Sequence, residues 1–266
     1  MTWWCAATGT PWTWAWRAYP GVWVFVLLVV IGAWRFGRLG GAAPARRGYF
    51  VAGAALLWIA LDWPLGTLGG YLAAAHAGQY LLLALSAPAF LLLGLRDALE
   101  TRVLADSRAD RVLRFLAHPA PGFIGYNLIL LSTHFPDVVD GLMASQAGSF
   151  GLDMAWLASG FFLWWPVCAP IRYQRLSAPL QMVYLFVQTV PATLPSAFLV
   201  FADYPLFRLY ELSPRVHPSL TPMYDHQVAG LLMKVVGDPI VWVGIAVIFF
   251  RWAGAERRAD LASSRA

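Results

Sequence analysis

The sequence predicts an all-α, polytopic membrane protein: a bundle of seven transmembrane helices in a single integral membrane domain over 1–266, amino terminus outside and carboxyl terminus cytoplasmic. Three observations carry this. Hydrophobic residues make up 59% of the chain and charged ones 12%, a balance that no water-soluble domain of this size keeps. Apolar stretches recur between positions 22 and 250, each near the roughly 20 residues a helix needs to cross the hydrocarbon core. Arginines are segregated into alternate connections between those stretches. Open sheets are excluded, because backbone polar groups in lipid must be satisfied within the spanning element.

The first helix is expected at about 21–36. The segment before it, MTWWCAATGTPWTWAWRAYPG, lacks the basic flank, short apolar core and small-residue cleavage site of a secretory signal, so the helix reads as a retained anchor. The second and third helices, 49–66 and 71–95, follow a turn containing Arg35, Arg38, Arg46 and Arg47. A polar connection then holds Leu99, Val103, Leu113 and Leu116 among mixed charges, the pattern of a cytoplasmic amphipathic segment over 97–117 lying along the inner surface. The fourth and fifth helices are expected at 121–139 and 151–169. The sixth, 178–203, contains Pro191 and Pro195, and a proline frees a backbone carbonyl and bends a helix. An outer loop rich in proline and aromatics, YPLFRLYELSPRVHPSLTPMY, leads to the seventh, 225–251; such a loop suits the headgroup region or a lid.

Fifteen arginines fall on one side of this arrangement and only Arg17, Arg208 and Arg215 on the other. Short cytoplasmic loops retain the basic excess, which sets the orientation. The net charge of +5 is thereby explained by topology and by attraction to anionic membrane lipids, and no nucleic-acid partner is called for. Cys5 and Cys168 fall at opposite faces and cannot bridge.

Ionisable residues within spans are costly and mark pathways or sites. On this topology His76, His134 and His226 all lie in the outer third, as do Asp153 and Asp225, while the inner third offers only His118. Two or three imidazoles with thioethers nearby suit a soft or borderline metal such as copper(I). Met233 lies seven residues after His226 on one helix face, and Met143, Met154 and Met223 share the outer half; methionine is equally a filler of apolar gaps, and histidines equally link helices by hydrogen bonds. Lys234 and Asp238 are spaced for an i,i+4 ion pair. No hydrolase elbow, phosphate loop, HExxH helix or CxxCH motif occurs, so the usual hydrolytic and c-type haem signatures are absent; bis-histidine haem across two helices remains compatible.

Several short blocks resemble the CtaG-like assembly factors of caa-type cytochrome c oxidase: HAGQYLLL from His76, followed by Ala87-Pro88 and Leu93-Gly94; THFP from Thr133; FFLWWPV from Phe161; and DHQ at Asp225 leading to GLLM ending at Met233. The resemblance implies a bacterial inner-membrane protein that helps mature a respiratory haem–copper oxidase, with the oxidase subunits as partners and copper as the metal. The expected metal-binding set is then His76, His134 and His226, assisted by Asp153, Asp225 or Met233. The chain departs from the family pattern in having Tyr80 four residues after His76, Asp153 early in the fifth helix, His226 within the Asp-Gln-Gln block and Lys234 after Met233. The alternatives are a metal-free membrane scaffold and a haem-binding redox protein.

Overall fold

The computed structural model describes residues 2–36, 44–95, 107–169 and 175–264. Its helices are α1 (Pro20–Phe36), α2 (Pro44–Leu61), the single turn α3 (Leu65–Leu68), α4 (Ala73–Gly94), α5 (Ser107–Ala117), α6 (Pro119–Ser132), α7 (Pro136–Met143), α8 (Gln146–Cys168), α9 (Ala178–Phe201), the short α10 (Arg208–Leu212) and α11 (Pro222–Ser263). No strand occurs among the described residues. Both α4 and α11 pass through a π-helical stretch, Leu81–Ser86 and Met233–Gly237.

Helix starts follow local chemistry. Ser145 caps α8 by accepting a hydrogen bond from the Gly148 amide at 3.0 Å, and Thr221 caps α11 through the Tyr224 amide with Pro222 at the first helical position; both are favoured N-terminal arrangements. His118, the lone histidine at the other end of the bundle, is a cap too, its Nδ1 accepting from the Ala120 amide.

Two expected helices are interrupted. The stretch 121–139 divides into α6 and α7 at His134 and Phe135, because Pro136 disfavours helical backbone in the residue before it, and Phe135 is extended at ψ 134°. The stretch 49–66 ends at Leu61, ahead of Pro64, and α3 is a separate turn. By contrast, α9 runs unbroken across Pro191 and Pro195. Of the expected amphipathic segment, 97–106 lies outside the described residues; in α5, Leu113 and Leu116 pack on the core while Val112 and Phe115 are exposed.

At the centre stands α4, flanked by α2, α8 and the first half of α11; α6 packs along α8, and α9 against α11. The close approaches use small residues, as membrane bundles commonly do. A side chain at Gly160 would collide with the Ala84 carbonyl and Pro88 of α4, and one at Gly230 would meet the Ser196 carbonyl of α9 at 2.7 Å. Among the described residues three helices, α4, α9 and α11, are long and apolar enough to cross a membrane. In the most apolar window of α11 only 17% is buried inside the protein, and Val235, Val243, Val247 and Phe250 face outward with Val183, Phe186, Val190 and Phe198 of α9. An apolar surface this extensive is the mark of a lipid-facing protein, since water-soluble monomers keep such patches small.

Candidate functional site

The polar residues gather at the end of the bundle where α4, α8 and α11 begin and α6 ends. Asp225, in the first turn of α11, is buried, and its two oxygens accept hydrogen bonds from the Ala73 and Ala74 amides at 2.6 and 3.0 Å. Leu72, the residue preceding α4, has no side-chain acceptor, so Asp225 supplies the missing cap from 152 residues away. A carboxylate at a helix N-terminus satisfies orphan amides and complements the dipole.

His226, 0% exposed, is fully engaged. Its Nδ1 lies 2.8 Å from the Pro222 carbonyl, which can only accept, and its Nε2 accepts from the Phe207 amide at 3.0 Å. The imidazole is therefore the neutral Nδ1–H tautomer with no lone pair left over.

Asp153 is buried on α8 and accepts a 2.7 Å bond from the Trp4 indole. The Gln146 side chain accepts from the Trp3 amide at 2.7 Å and the Trp4 amide at 3.2 Å, so the amino-terminal segment is tied down over this end. Cys5, in the same segment, is a free thiol whose burial, reinforced by the nearby Asp153 carboxylate, holds its pKa well above the ordinary range. Such a thiol is a poor metal ligand, since the thiolate is the binding form.

His76, His134 and Met233 form a different group: all three line one small cavity, walled also by Trp156, Phe207 and Tyr210. His76 is 6% exposed, and neither of its ring nitrogens has a hydrogen-bond partner. Its ring lies 4.6 Å from the Trp156 indole and 5.9 Å from the Tyr210 ring. His134 stands 5.0 Å edge-on to Tyr80 and 6.0 Å from Trp156. Its Nδ1 is 2.7 Å from the Leu130 carbonyl, so Nδ1 carries the proton and Nε2 keeps its lone pair. That pairing, one nitrogen held by a carbonyl and the other open, is how metal-binding histidines are oriented. Trp156 is itself fixed by its indole donating to Thr133 Oγ1 at 3.0 Å.

The predicted set of six thus divides. His76, His134 and Met233 meet at one cavity, whereas His226, Asp225 and Asp153 make structural hydrogen bonds elsewhere at the same end. Among the described residues no group of three or more His, Cys, Asp and Glu side chains is arranged to hold a metal ion. A two-imidazole, one-thioether set is compatible with that finding, and it fits copper(I), which accepts few ligands and soft ones, better than zinc, which takes four.

Trp156 walls the cavity without a signal of its own in the sequence, whereas Phe207 and Tyr210 come from the aromatic outer loop that the sequence marks as suited to a lid. Thr133 of the THFP block was the one indirect signal for Trp156, which it anchors. Beneath the cavity the Tyr80 and Tyr126 hydroxyls are 2.6 Å apart, so Tyr80 hydrogen-bonds to a neighbouring helix from the position one turn beyond His76. Lys234 and Asp238 do form the expected pair, 2.7 Å apart, and Lys234 also donates to Thr193 at 2.7 Å.

The model of the cytochrome c oxidase caa3 assembly factor family (CtaG) matches residues 23–255, most of the chain. No curated protein and no solved structure matches it.

Proposed function

The chain belongs to the cytochrome c oxidase caa3 assembly factor family, and from that premise we propose that it is a non-catalytic, multi-pass factor of the bacterial inner membrane that carries copper(I) to a nascent haem–copper oxidase. The proposed topology is seven spans with the amino terminus outside, following the arginine distribution and the positive-inside rule; the His76 cavity then opens toward the outer face. Copper is cargo, held by His76, His134 and Met233. The observation that carries this reading is His76: a buried imidazole with both nitrogens unpartnered is costly in an apolar interior, and a ligand at the cavity would remove that cost.

A second reading, a metal-free scaffold, draws on His226, Asp225 and Asp153, whose hydrogen bonds suffice to explain their burial. Competitive copper(I) titration of the purified protein separates the two. His76→Leu and His134→Leu are expected to lower affinity by at least about tenfold, since even outer-shell partners of metal ligands are worth 10–100-fold. Equal, weak binding by the native protein and both variants would leave the scaffold reading standing and end the copper one.

A further inference from the structure

Most walls of the His76 cavity belong to long helices, but Phe207 and Tyr210 come from the connection between α9 and α11. That connection is irregular on both sides of the five-residue α10. Phe207 and Tyr210 are buried against the cavity, while Arg208, Glu211 and Leu212 point away and are exposed. The segment is held down by burial of the Phe207 and Tyr210 rings in the core and by four hydrogen bonds to the bundle. The Phe207 amide donates to His226 Nε2 at 3.0 Å, the Arg208 and Leu209 amides donate to the Asp140 carboxylate at 3.1 and 3.0 Å, and the Tyr210 hydroxyl donates to the Gly69 carbonyl at 2.9 Å. Each acceptor belongs to a different element of the bundle, so lifting the segment breaks these bonds without unfolding any long helix. A short element between irregular stretches can open as a unit while the long helices stay folded, at the cost of these bonds and of exposing the two rings.

We propose that residues 203–213 are a lid over the His76–His134 cavity, latched by the hydrogen bond from the Phe207 amide to His226 and by those to Asp140, and that copper(I) enters and leaves when the lid lifts. This gives His226 a role distinct from coordination: it holds the door rather than the cargo. The copper part rests on the function proposed above; the lid part does not.

The lid is tested by access to the cavity with no metal present. Ala77 lines the cavity and is buried, so an Ala77→Cys background reports opening through its labelling rate with a small methanethiosulfonate reagent, located by mass spectrometry. Adding His226→Phe removes the acceptor and is expected to speed labelling roughly tenfold, the factor one net hydrogen bond is worth, together with faster amide exchange over 203–213. His226→Gln can accept from the Phe207 amide and donate to the Pro222 carbonyl, and is expected to behave as the native chain. Unchanged labelling in folded His226→Phe, or opening equally in His226→Gln, overturns the latch. If His226→Phe does not fold, Asp140→Ala carries the same expectation, and unchanged labelling there overturns the lid. Copper(I) transfer to a chelator is the second readout. Faster transfer in the opened variant supports the whole proposal, whereas faster labelling in a protein that binds no copper(I) retains the lid and removes the cargo.

Discussion

His76 and His226 are the same residue type, both buried, in the first turns of two adjoining helices at one end of the bundle, yet they are in opposite chemical situations. His226 has a donor and an acceptor matched to its two nitrogens and no capacity left. His76 sits among Trp156, Tyr210 and apolar walls with neither nitrogen matched. The α11 mouth is therefore a fastening, with Asp225 capping α4 and His226 accepting from the Phe207 amide, and on the proposed reading the α4 mouth is a receptacle. Burial and residue type do not separate these two histidines; unfilled hydrogen-bonding capacity does.

Stability measurements in mixed micelles can break this contrast. The largest loss is expected for Asp225→Ala, about 3 kcal/mol, because two buried amides at the start of α4 lose a charged acceptor at once. Asp225→Asn, which keeps an oxygen, is expected to recover part of it. His226→Leu comes next at roughly 2 kcal/mol, the cost of leaving the buried Phe207 amide unpaired and removing the bond to the Pro222 carbonyl. Tyr80→Phe is expected to cost about 1 kcal/mol by leaving the Tyr126 hydroxyl unpaired, with copper(I) affinity little changed. The smallest effect on stability belongs to His76→Leu, within about 1 kcal/mol of the native chain or on the stabilising side, since it removes an unsatisfied polar group of similar size from an apolar site. That same variant is expected to lose copper(I) binding. A His76→Leu protein destabilised as much as His226→Leu would erase the distinction between fastening and receptacle.

Much of the helical order was legible along the chain, because apolar run length and punctuation by proline and glycine are local. Pro136 dividing α6 from α7 was equally local, and a strict reading of the residue before proline would have found it. The candidate site was legible only as a depth. His76, His134, His226, Asp153 and Asp225 could be assigned to one end of the bundle by counting turns, but their partners lie far off in sequence: Trp4 for Asp153 at 149 residues, Ala73 for Asp225 at 152. Trp156 gave no signal because an aromatic residue in a membrane segment is ordinary, and Tyr210 was marked only as one of several aromatics in the outer loop. Their importance comes from lying against His76.

By itself the sequence determined the all-helical, lipid-facing character of the chain, through composition and the spacing of apolar runs, and also the family, through blocks such as HAGQYLLL and THFP. Only the tertiary structure decided which polar residues are already satisfied. A hydrogen bond depends on the position of both partners, and periodicity places a side chain on a face without saying what faces it. Packing α4 against α8 and α11 gave Asp225 two amides, gave His226 a lid to hold and left His76 beside His134 and Met233 with its nitrogens open.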